Sequence, residues 1–171
     1  MGILTHDVIL AELRSGRLRV EPLSGDQIGA ASIDLHLGTR LRLLGAATDG
    51  PIPVRDDTDP RRDTELIELV EPHVLEPGRT ALGVTRERLF LPPDICGWLE
   101  GRSRIARLGL TVHVTSGFVQ PGAANHQVLE MTNVSGVALE LHAGVRICQI
   151  VLQRCEGSAV YRGQYADQEA P

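Results

Sequence analysis

The chain of 171 residues contains no lysine; all 17 of its basic residues are arginine. That excludes a Schiff-base lysine, a phosphate-loop lysine and a lysine general base. Any phosphate it binds must be met by guanidinium groups, backbone amides and hydroxyls. Aromatic residues make up only 3%, so a core must be built from Val, Leu, Ile and Ala. The three cysteines, Cys96, Cys148 and Cys155, are odd in number and form no C-x-x-C, so core filling is the expected use. None of the six histidines stands in H-x-E or H-E-x-x-H, and P-C-x-x-C is missing, which argues against zinc-activated water and leaves no metal-ligand set. The net charge of −5 with no polybasic tract makes duplex nucleic acid an unsuitable partner. No apolar run is long enough to span a membrane and no signal peptide opens the chain, so the expected setting is cytoplasmic, with reduced thiols.

What the chain does have is 18 glycines and 10 prolines punctuating many short apolar runs. That pattern predicts one mainly β domain over 1–171, a sandwich or barrel. Thr5 starts a short helix through Val8, Ile9, Leu10 and Leu13 that Gly16 stops. Strands are expected over 29–43, 65–70, 80–90, 95–99, 110–115, 127–133, 137–141 and 145–152. A solvated loop occupies 45–64, a brief helix 103–108, and a polar C-terminal tail 156–171.

Chemistry concentrates between Glu100 and Asn133. Arg102, Ser103, Arg104 and Arg107 set three guanidinium groups and a hydroxyl within six residues, and the i, i+4 spacing of Ser103 and Arg107 puts them on one face of a helical turn. Such fixed donors suit a polyphosphate; an ordinary basic surface turn has the same composition. Glu130 interrupts the apolar run Val128–Met131 and alternates away from Leu129 and Met131. A carboxylate half-buried there would have a raised pKa suited to proton transfer near neutrality, whereas a solvent-facing strand residue would do nothing. His113 is read as structural, and Asp34 as a partner for backbone groups near Gly38.

Taken together, S-G-R-L, A-S-I-D-L-H-L-G, L-E-P-G-R-T-A-L-G-V-T, W-L-E-G-R-S-R-I-A-R-L-G-L, V-H-V-T-S-G-F, V-L-E and Y-R-G-Q follow one another in the order found in the dCTP deaminase branch of the deaminase/dUTPase superfamily. The resemblance implies a distorted jelly-roll β-barrel of the dUTPase-like type with a short N-terminal helix. It implies a homotrimer with sites between subunits and a pyrimidine nucleoside triphosphate bound with Mg²⁺ on its phosphates. It further implies deamination at C4 of cytosine, from dCTP to dUTP and ammonia, without zinc. On that resemblance Glu130 shuttles protons, and Ser103 and Arg107 hold the water, the Glu and the pyrimidine edge. Ser116 positions the water through its backbone. Arg102, Ser103 and Arg104 contact phosphate, and Tyr161 and Gln164 belong to a tail that closes on the phosphates.

Three departures from the family pattern bear on specificity. Gln120 replaces an Asp that, in dUTPases, orients the hydrolytic water, and an amide cannot act as a base. Val160 stands where a phosphate-binding Lys is usual. Ala123-Ala124-Asn125-His126 replaces an aromatic and glycine run, and Gly117-Phe118 is closer to the bifunctional deaminase/dUTPase type. Two alternatives therefore stand beside a dCTP deaminase: a bifunctional enzyme that also hydrolyses dUTP, and a non-catalytic nucleotide-binding regulatory trimer.

Overall fold

Alternation of apolar side chains along Ile33–Leu44 (β2) sets the middle of the fold, with Ile33, Leu35, Leu37 and Leu41 all fully buried. The computed structural model describes residues 2–45, 50–113 and 115–171. Helix α1 (His6–Arg14) opens the chain and turns Ile9 inward. Thr5 occupies its N-cap position in an extended conformation, but its side chain makes no capping bond.

The strands follow as β1 (Arg19–Glu21), β2, β3 (Thr64–Glu68), β4 (His73–Leu75), β5 (Thr80–Phe90) and β6 (Ile95–Gly101). A single-turn helix, α2 (Ser103–Ala106), precedes β7 (Leu110–Val112), β8 (Phe118–Val119), β9 (Ala124–Asn133), β10 (Leu139–Leu141) and β11 (Arg146–Arg154). Nine of the strands form one curled sheet in the order β7-β9-β5-β2-β11-β6-β8, with β1 added on β5 and β3 on β2; β4 and β10 pair separately. Every pairing is antiparallel. The mainly β architecture with a short N-terminal helix is the one predicted.

The core contains Leu, Ile, Val, Ala, Met and Cys but no ring: neither Phe, Trp nor Tyr is among its buried residues. Each fully buried Leu or Ile contributes about 1.5–3 kcal/mol. Trp98 and Phe118 instead pack together at the surface, ring centroids 4.8 Å apart. Among the described residues, no helix is long and apolar enough to cross a membrane.

Some local expectations are corrected. The strand expected over 110–115 ends at Val112, because His113 takes a positive φ of 65° that no extended strand accommodates. Strand β9 begins at Ala124, three residues earlier than its apolar pattern suggested, because Ala124 and Asn125 pair with Phe90 and Leu89. Asp34 does not serve backbone groups near Gly38; its carboxylate lies 2.9 Å from Arg102 and 3.8 Å from Arg146. Within the expected 45–64 loop, residues 46–49 lie outside the described residues and β3 starts at Thr64.

Candidate active site

Strand β9 pairs with β5 along its length, with one register shift, and with β7 over Met131–Asn133; at Glu130 the backbone is held by β5 on one side and by His113 on the other. Leu129 and Met131 are fully buried, while Glu130 between them is half-buried and faces a cleft of about 1010 Å³. Ser116, Gln120, Tyr161 and Gln164, four of the residues singled out from sequence, line that same cleft.

The carboxylate is tethered at one oxygen. Thr115 donates to Glu130 Oε2 from its backbone N at 3.1 Å and from its hydroxyl. Among the described residues, nothing donates to Oε1. His113 backs the same group. Its Nε2 lies 2.9 Å from Ser116 O, which can only accept, so Nε2 carries the proton. Its Nδ1 then accepts from Glu130 N at 3.3 Å. This places a neutral imidazole beneath the carboxylate. Burial depresses its pKa below 6.5, outweighing the opposing effects of Ser116 O and the Glu130 charge. The positive φ of His113 stores about 1–2 kcal/mol of backbone strain at the point where the chain turns under Glu130.

Sequence reasoning read His113 as structural, which its bonds to backbone groups agree with, but missed Thr115 and the contact of both residues with Glu130. An alternating strand gave no sign of the backbone reversal that brings both against Glu130. It also missed the rim. Arg42 of β2, Asp56–Arg61 of the long loop and the tail as far as Pro171 border the cleft, and only the fold brings these distant segments together.

Arg102, Ser103, Arg104 and Arg107 do not line the cleft. As predicted, they form a helical turn: Arg107 N donates to Ser103 O at 3.1 Å. Gly109, at φ 86°, ends that turn where a side chain would strike Ser135. Ser103, Arg104 and Arg107 are exposed, and among the described residues neither Arg104 nor Arg107 makes an ion pair. Arg102 is different. Its Nη2 binds Asp34 at 2.9 Å and its Nη1 donates to Arg146 O at 3.2 Å, so it braces the turn against β2 and β11.

No group of three or more His, Cys, Asp or Glu among the described residues is arranged to hold a metal ion. The three thiols are free. Burial, reinforced by Cys155, pushes the Cys96 thiol up to about 11, and burial raises Cys148 further, so neither supplies a thiolate near neutrality.

Comparison with known proteins shows what the chain as a whole is similar to. The dCTP deaminase-like family matches residues 3–155. A protein of Parafrankia sp. (strain EAN1pec) named "dCTP deaminase, dUMP-forming" is 37% identical, the match covering 99% of this chain and 88% of that one. One of Thermomicrobium roseum named "dCTP deaminase" is 36% identical over 99% of this chain and 91% of its own. Among solved structures, the 2'-deoxycytidine 5'-triphosphate deaminase of Agrobacterium tumefaciens superposes with a TM-score of 0.69 at 24% identity, over 91% of this chain but only 48% of that longer one. The native EIAV dUTPase shares the fold at a TM-score of 0.53 and 15% identity, over 86% of this chain and 96% of its own. With the family matched over residues 3–155 and relatives more than a third identical over nearly its whole length, the chain belongs to the dCTP deaminase-like family.

Proposed function

We propose that the chain deaminates dCTP, with Glu130 as the group that moves the protons. The observation that carries this reading is the state of that carboxylate. It is half-buried on a rigid strand and anchored through one oxygen by Thr115, and it faces a cleft large enough for a nucleotide. In the proposed reaction Glu130 takes a proton from water as its oxygen attacks C4 of cytosine. That proton passes to N3, and Glu130 then carries the remaining hydroxyl proton to the C4 amino group, so that the C4–N bond breaks as the carbonyl forms: dCTP and water give dUTP and ammonia. Neutral His113 leaves the acid–base work to the carboxylate while holding the backbone that carries it.

Ser103, Arg104 and Arg107 are exposed and lie outside the cleft of their own chain, which supports a homotrimer in which this turn completes a neighbouring subunit's site. There Ser103 and Arg107 would hold the water and the pyrimidine edge, and Arg104 the phosphates. Tyr161 and Gln164 would contact the phosphates from the tail, Ser116 O would place the water, and Gln120 would face the sugar. Mg²⁺ enters with the substrate, on its phosphates, because the described residues offer no carboxylate or histidine cluster for it. The cytoplasm, where the nucleotide pool lies and thiols stay reduced, is the proposed location.

A second reading rests on the relatives named "dUMP-forming": the dUTP is then cleaved at the same site to dUMP and pyrophosphate. Gln120 weighs against it, because an amide in that cleft cannot deprotonate a second water. One assay separates the readings. The protein with Mg²⁺ is given dCTP, and ammonia, pyrophosphate and nucleotides are followed. Ammonia with accumulating dUTP supports deamination alone. Ammonia with pyrophosphate and dUMP supports the second reading. Absence of ammonia overturns both.

A further inference from the structure

Two of the three thiols sit side by side, away from the cleft. Strand β6 pairs with β11 so that Cys96 stands opposite Gln153. One step past the last paired residues, Ile95 and Arg154, Cys155 N donates to Asp94 O at 2.8 Å. Opposed residues of an antiparallel pair share a face, and so do alternate residues along one strand. Cys96, Gln153 and Cys155 therefore project from the same side of the sheet, with Cys96 and Cys155 as diagonal neighbours. That side is the outer one, because Ile95 and Leu99 of β6 and Ile150 and Leu152 of β11 turn into the core. The Cys96 thiol points along β11, 3.6 Å from Gln153 O, and lies within hydrogen-bonding reach of the Cys155 thiol.

The two thiols differ in access. Cys96 is buried, whereas Cys155 is partly open to solvent. Cys155 lies just beyond the end of β11 and leads into exposed Glu156, Gly157 (φ 86°) and Ser158. A disulfide needs about 2.05 Å between its sulfurs, and a residue at a strand end entering an exposed turn can shift to reach it. Cys148 has no such neighbour. It stands opposite Gly101, on the core face with Ile150 and Leu152, and is fully buried.

We propose that Cys96 and Cys155 are a redox pair, closed to a disulfide by a peroxide and reopened by a dithiol, with Cys155 oxidised first and Cys96 resolving it. The Cys155 sulfur attacks one oxygen of hydrogen peroxide. The O–O bond breaks, and the departing hydroxide takes the Cys155 proton as water, leaving a sulfenic acid. The Cys96 sulfur then attacks the Cys155 sulfur. The S–S bond forms as the S–O bond breaks, and the second hydroxide leaves as water with the Cys96 proton. Two thiols and one hydrogen peroxide give one disulfide and two waters, and the two electrons lost by the sulfurs reduce the peroxide oxygens. The order follows from access and charge. Burial keeps Cys96 protonated and out of reach of peroxide, and a neutral sulfenic acid at Cys155 no longer adds its charge against Cys96 ionising. The closed bond fastens the end of β11 to β6 and encloses everything from 96 to 155, Glu130 included. The proposal rests on neither the reaction nor the substrate proposed above.

The experiment treats the reduced full chain with hydrogen peroxide, unfolds it in iodoacetamide and reads intact mass and peptide map. The expected product has lost two hydrogens, carries iodoacetamide on Cys148 alone, and joins the Cys96 and Cys155 peptides; dithiothreitol restores three alkylated thiols. In the folded chain the bond should raise the thermal midpoint by roughly 10 °C, the scale for closing a loop of this length, and dithiothreitol should reverse the rise. In Cys96→Ser, dimedone added with the peroxide should label Cys155, because the sulfenic acid has no resolving thiol. In Cys155→Ser, peroxide should form no disulfide and shift no midpoint. Three alkylated thiols after peroxide, a bond that includes Cys148, a bond between two chains, or a wild type in which Cys155 is oxidised while Cys96 stays free overturns the proposal. Should Cys96→Ser unfold, Cys155→Ser still decides, because Cys155 is only partly buried and stands outside the core. None of these readouts needs turnover, so a chain that leaves dCTP intact can still form the bond, and an active deaminase can fail to.

Discussion

Glu87 on β5 and Glu130 on β9 stand on adjacent, paired strands and meet opposite surroundings. Glu87 is fully buried and both its oxygens are committed: His36 N donates to one at 2.8 Å, while His36 Nδ1, Gln27 Nε2 and Arg86 Nη2 crowd the other at 2.5, 3.1 and 3.4 Å. Glu130 is half-buried, tethered through a single oxygen by one residue, and open to the cleft. The difference separates a carboxylate that holds the sheet together from one left free to change partners, as the proposed reaction requires. Burial alone does not mark a reactive group. A reactive carboxylate needs a fixed orientation and an unspent hydrogen-bonding capacity, and Glu130 has both.

The sharpest way to break this contrast is to exchange the consequences. Glu87→Ala leaves His36 N, Gln27 and Arg86 facing a buried void. It is expected to lower stability by about 3–5 kcal/mol in urea unfolding, the scale for removing one partner of a buried charged network. Glu130→Gln should shift the same unfolding curve by less than about 1 kcal/mol. It should slow dCTP deamination by about 10²–10⁴-fold, the usual contribution of a positioned proton-transfer group. A stable Glu87→Ala, or a Glu130→Gln that deaminates normally, reverses the roles assigned to the pair.

A pH series sharpens the contrast by separating the cleft from the N-terminal brace. His113 has a depressed native pKa, so its stabilising contribution is complete above 6.5, the unfolded value. It is lost as the pH falls below 6.5 and through the native value, because the unfolded state binds the proton first. Glu12 on α1 behaves likewise in a more acid window. Burial opposes its ionisation, but hydrogen bonds from Arg154 and Arg17 prevail and depress its pKa below 4.5. Thermal unfolding should therefore show one loss of stability beginning near 6.5 that His113→Gln removes, and another below 4.5 that Glu12→Gln removes. Each should amount to about 1 kcal/mol or less, given the exposure of the arginines and the modest contribution expected of one histidine. If His113→Gln leaves the first loss in place, the neutral imidazole beneath Glu130 is misassigned.

The most local expected effect, with the least change in the global unfolding midpoint, lies at the root of the tail. Gly122 has a φ of 73°, and a Cβ there would stand 2.9 Å from Val160 Cα. Gly122→Ala is expected to cost about 1–2 kcal/mol of local stability and to loosen the tail without disturbing β9. Faster trypsin cleavage after Arg162, with little change in the global unfolding midpoint, is the outcome to look for.

How far the sequence could be read follows the range of the interactions. Strand β5 was legible to the residue, over 80–90, because alternation and flanking turns are local signals. The arginine turn was legible for the same reason. The short strands Arg19–Glu21 and His73–Leu75 carry too few residues to show a period and exist only because β5 and β10 pair with them. In the site, Glu130 was legible as a charge breaking an apolar run. Its anchors were not, because the reversal at His113 depends on a positive φ that no histidine advertises. The family resemblance placed Ser116, Gln120, Tyr161 and Gln164 in one cleft. Cys96 and Cys155, far apart in sequence, needed the pairing of β6 with β11 to bring them together.

The position of β9 inside the sheet has a dynamic consequence. Bonded to β5 along its length and to β7 over Met131–Asn133, its amides are expected to exchange with solvent far more slowly than those of the segment after Tyr161, which rests on a few scattered bonds. The floor of the cleft and its cover thus sit at opposite ends of the molecule's range of opening free energies. In the proposed reaction, substrate would be admitted and product let go by fluctuations of the cover alone, with the geometry around Glu130 left undisturbed from one turnover to the next.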